Sequence, residues 1–552
     1  MTRIGLSKNP GNELVLHKLM LMTTTRRDLL AGALLAFPFS RYLRSLDLEP
    51  KADGRIGSAL QLRQHRALAQ SNGPIPLSAS NGDETTLPNW ISCFTKGLPQ
   101  NRFGEVDSSA YRSLLTAVSS GKHYDFEQVP KGAGRKLSNP QAAFTFHLEG
   151  ADSHRFGIPP APSITSQGAA TETSELYWQA LCRDLAFSDY DSSPLVRQAA
   201  NHLGVAPRNI FRGATKAALQ GPYVSQFLLK PIPYGSSKLE QRYRVPLPNA
   251  DFMTSVSEWS QVQSGIPPWR EAPYDSIPRY IRNGRDLAEW VHYDFPYQAY
   301  LNAALILLDA GPATVLNCNP FKSFTNPYRN SKVQEGFVTF GPAEVTDWLA
   351  RVTTVALKAA YCQKWMVHRR LRPEALGGLV HYTRVGTRSY PVAPALLGSP
   401  AVDATFARTG TYLLPQAYPE GSPMHPSYPA GHAAISGACS VVLKACFNEE
   451  MLLPGCVVPS PDGLSLLPCS GYGPTVGAEI DKLAFNHALA RNWAGIHFRS
   501  DDMAGLRLGE DVAISILQDL ICTYTEDFKG FYFTRIDGTK IHITSRGEVI
   551  TG

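Results

Sequence analysis

The sequence predicts a mainly α-helical protein, and three observations support that prediction. Apolar residues recur with helical spacing in several segments between residues 110 and 310, for example 177–187 and 288–308. Loops rich in proline and glycine, such as residues 157–162, separate these segments. The alternating apolar and polar pattern of half-buried strands is scarce before residue 530. We therefore expect helices to form the body of the molecule.

Length and composition indicate a globular protein with more than one domain. The 552 residues exceed the roughly 250–300 at which a single core stops growing. Hydrophobic residues make up 43% and charged residues 18%, which argues against global disorder. The net charge of +6 is too weak at this length to indicate nucleic-acid binding. The nine cysteines show no Cys-x-x-Cys pair or zinc-site spacing, and their spacing does not determine a disulfide connectivity. Cys456 and Cys469 bracket a loop rich in proline and glycine, and they are the one pair that we expect to form a disulfide.

The N-terminus resembles a twin-arginine export signal. Residues 25–30 (TRRDLL) precede an apolar stretch, residues 31–39, that is far shorter than the roughly 20 residues of a membrane span. We expect a leader over residues 1–40, with Met22 as an alternative start, and a protein exported to the periplasm or the outside. An ordinary helix with two arginines is the alternative, because no small-residue cleavage site follows directly. No other window indicates a membrane span.

Three further regions follow this leader. Residues 41–90, of mixed Arg, Gln, Ser and Asn, are typical of a linker or peripheral arm. Residues 91–310 form a predicted N-terminal helical region, and residues 311–552 form a second helical region that carries the chemistry-bearing segments. Near its end, apolar residues flank an Asp537-Gly538 turn signal, which predicts a short C-terminal hairpin over residues 530–544.

The first segment with chemical potential ends a helical pattern that begins near Ala343. Pro373 disfavours helix at Arg372, so we expect the helix to end there. Lys364, His368 and Arg372 are spaced by four residues and would share one helix face. Cations grouped at a helix end are costly unless an anion neutralises them. A solvated basic helix end is the alternative.

The second segment, residues 425–432 (HPSYPAGH), precedes a run of small residues that predicts a buried helix to about Cys446. Its prolines fix a loop that delivers Gly431 and His432 to the helix N-terminus, where free N–H groups favour an anion. Gly431 lets a ligand approach the backbone closely. The helix dipole disfavours the imidazolium of His432, which suits acid/base chemistry near neutral pH. A hydrogen-bonded loop histidine without a chemical role is the alternative.

The third segment contains Arg491, at the end of an amphipathic pattern that starts at Ile480. Gly495 permits a break after it. His497 and Asp501 lie four residues apart, the spacing at which a carboxylate holds an imidazole in one tautomer. A held imidazole is a ligand or a nucleophile, and a structural pair is the alternative.

Taken together, the three segments predict a site for phosphate or vanadate. Lys364, Arg372, Arg491 and a helix N-terminus supply donors for several oxygens of a tetrahedral oxyanion. His497 offers a neutral nitrogen to the central atom of that anion.

These segments, in this order, resemble the signature shared by vanadium-dependent haloperoxidases and one superfamily of acid and lipid phosphatases. The seven residues between Lys364 and Arg372, and the longer form HPSYP that starts at His425, are typical of the algal and bacterial bromoperoxidase branch. The phosphatases usually have six residues in that interval. The similarity covers roughly residues 90–530, and it implies helical bundles around a deep vanadate-binding cleft, in a homo-oligomer.

The resemblance also implies a role for each site residue. His497 would be the nitrogen ligand of vanadium. The oxygens of vanadate would be bound by Lys364, Arg372, Arg491 and the Gly431 N–H group. His432 would be the acid/base residue, His425 would shape halide or peroxide handling, and Asp501 would hold His497.

Three further positions affect how such a site would work. The family usually has serine where this chain has Ala430, so one hydrogen bond to a vanadate oxygen is lost, at a cost of about 0.5–1.5 kcal/mol. Tyr361, one turn before Lys364, is a position that could tune halide choice. Asp294 is a candidate for an ion pair that braces the arginines.

The function implied is that of a bromide peroxidase dependent on vanadate(V), with iodide or chloride as other halides. Vanadate would act as a Lewis acid toward hydrogen peroxide, Lys364 would polarise the bound peroxide, and His432 would relay protons. Hypohalous acid would then halogenate a small organic acceptor. An acid phosphatase with His497 as nucleophile and a non-catalytic oxyanion-binding protein are the alternatives. Some members of this branch carry structural calcium, for which the sequence has no recognisable loop.

Overall fold

The computed structural model describes residues 52–309 and 325–552. The chain divides into two compact units, Met1–Ala69 and Gln70–Gly552. The predicted leader, residues 1–40, lies outside the described residues. The described part of the predicted linker, residues 41–90, includes the α-helices Ala52–Asn72 and Asp83–Thr86. Its role as an arm stays a prediction, as do the boundaries of the other predicted regions.

Helices are the predominant secondary structure of the described residues, as predicted, and account for 48%. Their bounds are α1 (Ala52–Asn72), α2 (Asp83–Thr86), α3 (Ser108–Ser120), α4 (His123–Glu127), α5 (Gln167–Cys182), α6 (Pro194–Leu203), α7 (Lys216–Leu219), α8 (Val256–Gln263), α9 (Gly284–Trp290), α10 (Gln298–Asp309), α11 (Pro342–Cys362), α12 (Pro373–Arg384), α13 (Pro394–Leu397), α14 (Pro400–Thr409), α15 (Gly431–Cys446), α16 (Val476–Trp493) and α17 (Arg499–Leu520). None of these helices is long and apolar enough to cross a membrane.

The strands form small antiparallel sheets. Their bounds are β1 (Ile232–Tyr234), β2 (Ser237–Leu239), β3 (Val457–Pro459), β4 (Leu466–Pro468), β5 (Gly530–Thr534), β6 (Lys540–Thr544) and β7 (Val549–Thr551). The sheets are β1-β2, β3-β4 and β5-β6-β7. The predicted C-terminal hairpin is β5-β6, in which Phe531 faces Ile543 and Phe533 faces Ile541. The additional strand β7 was not predicted.

The disulfide suggested between Cys456 and Cys469 is wrong, because both residues are free thiols. They flank the β3-β4 hairpin, and the Cys469 N–H donates to the Cys456 carbonyl at 2.9 Å. The backbone hydrogen bond closes the hairpin without a covalent bridge.

One predicted helical stretch, residues 288–308, is two helices. Helix α9 ends at Trp290 and α10 begins at Gln298. The break contains Pro296, which lacks an N–H group and disfavours helical backbone at the preceding residue. The other example, residues 177–187, is helical only as far as Cys182, where α5 ends.

The core that supports the site is formed by α11, α15, α16 and α17, with α15 packed against the other three. Glycines allow α15 and α17 to approach closely. A Cβ on Gly437 would lie 1.9 Å from the Leu506 carbonyl oxygen, and a Cβ on Gly509 would lie 1.9 Å from the Ala434 carbonyl oxygen. This close packing fixes the N-terminal end of α15, which carries the second segment.

Candidate active site

The α-helix that leads into the first segment ends earlier than predicted. After α11 the chain makes a π-helical turn, Gln363–His368, and Arg369 then takes a left-handed conformation with φ of 39°. Arg372 is extended and Pro373 is the first residue of α12, as the proline predicted. Lys364 therefore lies in the π turn and Arg372 beyond it, so the predicted common helix face is wrong. Periodicity alone does not distinguish a π turn from a continuing α-helix.

His368, the third member of that predicted face, packs elsewhere. Its ring meets the Tyr428 ring edge-on at 4.7 Å. Burial, together with the charge of Arg369, lowers the pKa of His368 to about 4. A neutral, buried ring against an aromatic residue indicates a structural role.

The two cations of the first segment hold the backbone of the second. The ammonium group of Lys364 donates to the carbonyl oxygens of Pro426 at 2.8 Å and Ser427 at 2.7 Å. Nε of Arg372 donates to the carbonyl oxygen of His425 at 2.9 Å. Segments more than 50 residues apart in sequence thus meet, as the motifs predicted.

His497 is held at both ring nitrogens. Nδ1 lies 2.9 Å from Oδ2 of Asp501, as the i, i+4 spacing predicted, and Nε2 lies 2.9 Å from Nη1 of Arg372. Because a carboxylate and a guanidinium fix the donors, the proton sits on Nδ1 and the lone pair on Nε2. Burial and the charge of Arg372 hold the pKa of His497 well below its usual value. The ring is therefore neutral and presents Nε2 as a ligand or nucleophile.

Asp501 is held by three other groups as well. It accepts hydrogen bonds from Nη1 of Arg370 at 2.7 Å, from the Phe498 N–H at 3.0 Å and from the Ser427 hydroxyl. Burial alone would raise the pKa of Asp501, but the charge of Arg370 and the hydrogen bond with His497 outweigh it, and the pKa is strongly lowered. Asp501 therefore remains a carboxylate that orients the imidazole.

The second segment ends at a helix N-terminus, as predicted. Helix α15 begins at Gly431, and the fully buried Ala430 in the capping position has a side chain that makes no capping hydrogen bond. The Ala430 N–H donates to the backbone oxygen of Asp501 at 2.9 Å, which joins the second and third segments. A helix start without a side-chain cap is suited to an anion.

Helix α16 is buried on nearly every side, so the predicted amphipathic pattern is wrong. Arg491 lies in its last turn, where Nη1 donates to the Val291 carbonyl oxygen at 3.0 Å. Nε of Arg491 is buried and has no hydrogen-bond partner among the described residues. The predicted break follows at Gly495, whose φ is +83°. This break turns the chain so that His497 faces Arg372.

His425 and Tyr361 lie beside Arg372. Nδ1 of His425 accepts a hydrogen bond from Nη2 of Arg372 at 2.9 Å. Burial, and then the charges of Arg372 and Lys364, hold the pKa of His425 well below its usual value. The Tyr361 ring lies 5.3 Å from the His425 ring. Both residues therefore form one wall next to Arg372.

Asp294 does not brace the arginines, so that prediction is wrong. Its Oδ1 lies 3.1 Å from Nε2 of His432, and its Oδ2 lies 2.8 Å from Nε2 of His487. The break between α9 and α10 carries Asp294 to the histidines of α15 and α16. Burial alone would raise the pKa of Asp294, but the charge and hydrogen bonds of the two histidines outweigh it and lower the pKa strongly.

The pKa of His432 is lowered to about 4, the direction that the sequence predicted. Burial is the largest cause, and the charge of Arg491 adds to it. The sequence argument named the helix dipole instead, because burial cannot be read from the position of His432 in the motif.

Two residues of this site were missed from sequence. Arg370 pairs with Asp501 and, at 2.5 Å, with Glu172. It lies in the basic run of the first segment, where no spacing rule singles it out. His487 precedes Arg491 by four residues, and this spacing on one helix face is the signal that could have found it.

The chemistry of the donor set fits an oxyanion. Three cations line the site: Lys364, Arg372 and Arg491. Among the described residues, their hydrogen-bond acceptors are carbonyl oxygens, ring nitrogens and a tyrosine hydroxyl, and all of these groups are neutral. Burial holds the pKa of Lys364 well below its usual value and lowers that of Arg372 to about 10. Buried cations with neutral partners gain most from a bound anion. The site residues therefore fit vanadate or phosphate.

Comparisons with known proteins agree with this geometry. A family model described as the VCPO second helical-bundle domain matches residues 411–521, which include the second and third segments. The chain is 33% identical to a vanadium-dependent bromoperoxidase of Corallina pilulifera, over 86% of this chain and 96% of that one. It is 34% identical to a vanadium-dependent bromoperoxidase of Ascophyllum nodosum, over 89% and 93%.

A solved structure is similar across the same length. The homohexameric second vanadate-dependent bromoperoxidase from Ascophyllum nodosum superposes with a TM-score of 0.86 at 28% identity. The superposition covers 92% of this chain and 93% of that one.

Proposed function

Since the chain belongs to the vanadium-dependent bromoperoxidase family, we propose that it oxidises bromide with hydrogen peroxide, using vanadate(V) held between its three segments. One observation carries this proposal. The three segments bring together three buried cations with neutral hydrogen-bond partners, and one of them, Arg372, faces the Nε2 lone pair of His497. Hypobromous acid is the product, and it diffuses to a small organic acceptor.

Five residues would hold vanadate, and we call them the cradle. His497 would supply the nitrogen ligand through Nε2, while Lys364, Arg372, Arg491 and the Gly431 N–H would bind the oxygens. When bound, vanadate supplies a Lewis-acid centre that activates hydrogen peroxide toward halide attack. Asp501 keeps His497 in the tautomer that leaves Nε2 free of a proton.

His432 supplies the acid/base step. Its pKa of about 4 leaves the imidazole neutral at pH 7, ready to accept a proton from hydrogen peroxide and to return it to the departing product. Asp294 bonds its Nε2, so Nδ1 is the nitrogen left for this exchange. His425 and Tyr361 form the wall beside Arg372 and are proposed to set how the halide approaches, including the preference among bromide, iodide and chloride.

The test is a bromination assay that follows a phenol-red-type dye. Full-length protein is assayed with bromide and hydrogen peroxide, before and after loading with vanadate, and in parallel with a phosphate ester. The proposal predicts vanadate-dependent bromination and little ester hydrolysis. Hydrolysis without bromination would favour a phosphatase, and vanadate binding without turnover on any halide would favour a non-catalytic oxyanion-binding protein.

Assembly, a second cofactor and localisation are further parts of the proposal. A homo-oligomer is supported by the homohexameric relative and is tested by light scattering after size-exclusion chromatography. Structural calcium rests on the family resemblance and is tested by metal analysis before and after chelation. Export to the periplasm or the outside rests on residues 25–39 and is tested by N-terminal sequencing of protein from the culture medium and the periplasm.

A further inference from the structure

A second group of possible metal ligands lies next to the acid/base histidine. Asp294 comes from the loop between α9 and α10, His432 from the first turn of α15, and His487 from α16. The two Nε2 atoms lie 3.1 Å and 2.8 Å from the two oxygens of the Asp294 carboxylate. One ligand atom from each residue falls within 4.8 Å of the others.

The His487 ring is held in place for this arrangement. It is fully buried, and its Nδ1 lies 2.9 Å from the Ser436 hydroxyl. The rings of Trp290 and Tyr300 meet it edge-on at 5.5 Å and 5.7 Å. Because Nδ1 is engaged, Nε2 is the nitrogen left for a ligand, and it already points at the carboxylate. The His432 side chain is 24% exposed, which gives a route from solvent.

We propose that Asp294, His432 and His487 bind a divalent transition-metal ion of the zinc type. Zinc accepts histidine nitrogens and carboxylate oxygens at about 2.0–2.2 Å, which places tetrahedral ligands about 3.3 Å apart. The nitrogen–oxygen separations of 2.8 Å and 3.1 Å are close to that spacing, and the three ligand atoms, within 4.8 Å of one another, draw together around the ion. An imidazole that binds zinc through Nε2 carries its one proton on Nδ1, so metal binding shifts the Nε2 protons of His432 and His487 to Nδ1.

Charge and ligand type support zinc over calcium or magnesium. Two imidazoles and one carboxylate suit zinc, whereas calcium and magnesium prefer oxygen ligands. Arg491 is the cation whose charge acts on His432, and the Asp294 carboxylate offsets that positive charge for an incoming metal. Three protein ligands leave a fourth position for water.

The consequence for activity rests on the proposed function. With zinc on Nε2, the single proton of the His432 ring is held on Nδ1, which then has no lone pair to accept another proton, so its proton exchange stops. Zinc is therefore an inhibitor of bromide oxidation that acts beside the vanadate cradle.

Calorimetric titration of the full-length, vanadate-loaded protein with zinc chloride tests the site without peroxide or halide. We expect one zinc per chain and an affinity at least about tenfold lower in His487→Asn and in Asp294→Asn. The matched control is His154→Asn, which removes a histidine that pairs with a carboxylate, Asp152, at 2.8 Å but lies outside the group of three residues whose ligand atoms converge. This control is expected to bind zinc as the parent protein does.

X-ray absorption at the zinc edge tests the ligands in the unsubstituted protein, so the proposal does not depend on how the variants fold. Two imidazole nitrogens and a carboxylate oxygen are expected. Absence of zinc binding, thiolate ligands, or equal affinity in His487→Asn and the parent would overturn the site. If zinc binds through these ligands and bromide oxidation is unaffected, the inhibitory role is overturned and the site stands.

Discussion

Nη1 of Arg372 lies 2.9 Å from Nε2 of His497, and this contact joins two residues 125 positions apart. The ring is bonded to Asp501 at its other nitrogen, so its tautomer is set by protein groups alone. The nitrogen that faces the arginine is the one proposed to ligate vanadium. The cradle is therefore organised before any anion binds, and several predictions depend on that organisation.

Removing the carboxylate that orients His497 should weaken vanadate binding. In Asp501→Asn the amide no longer fixes the proton on Nδ1, and we expect vanadate affinity to fall about 10- to 100-fold. Vanadate titration followed by calorimetry measures this. Asp152→Asn, which breaks the exposed pair with His154, is the control and should leave the affinity unchanged. Equal affinity in Asp501→Asn and the parent would show that the tautomer is not set by Asp501.

Restoring a hydroxyl at the start of α15 should strengthen vanadate binding. Ala430→Ser places a donor in the capping position beside Gly431, and one neutral hydrogen bond contributes about 0.5–1.5 kcal/mol, or roughly two- to twelvefold in affinity. Ala393→Ser is a matched control, because Ala393 is the buried capping residue of α13, outside the site. A gain of the same size in both variants would mean that the effect is not a contact with vanadate.

A buried ion pair should contribute strongly to stability near the site. Lys96 and Glu374 lie 2.6 Å apart with side chains almost fully buried, and Glu374 is the second residue of α12. Glu374→Gln leaves the ammonium group without its counter-charge, and we expect a loss of about 3 kcal/mol in the free energy of unfolding. Chemical denaturation measures it. The double variant Lys96→Met/Glu374→Gln should recover part of the loss, and a single variant as stable as the parent would contradict the prediction.

Glu449 should make stability depend on pH near neutrality. Burial raises the pKa of Glu449 from 4.5 to about 7 in the folded protein. The folded state therefore holds a proton that the unfolded state releases, so this contribution is complete below pH 4.5 and is lost as the pH rises through about 7. Relative to Glu449→Gln, the parent should lose about 2–3 kcal/mol between pH 4.5 and 8. Glu450→Gln, at an exposed neighbouring position, should follow the parent, and parallel curves for parent and Glu449→Gln would contradict the prediction.

The sequence predicted those features of the site that depend on residues close together in the chain. Pro373 marks the start of α12, because proline fixes its own φ and disfavours helical backbone at the residue before it. The interval of four residues between His497 and Asp501 predicted their hydrogen bond, because it brings two side chains together locally.

The parts that were missed depend on contacts distant in sequence. Asp294 meets His432 and His487 because three elements, separated by more than 50 residues each, pack together. The π turn that carries Lys364 has the same apolar periodicity as the helix before it, so spacing rules placed Lys364 and Arg372 on one face. No one-dimensional pattern contains that information.

The most direct test of the central claim is bromide oxidation by the parent protein and by His497→Ala, each loaded with vanadate, with folding confirmed by circular dichroism. The account predicts rapid dye bromination by the parent that requires both vanadate and hydrogen peroxide, and loss of bromination in His497→Ala. Bromination that survives the loss of His497, in a protein that still needs vanadate, would show that Nε2 of His497 is not the ligand of the metal.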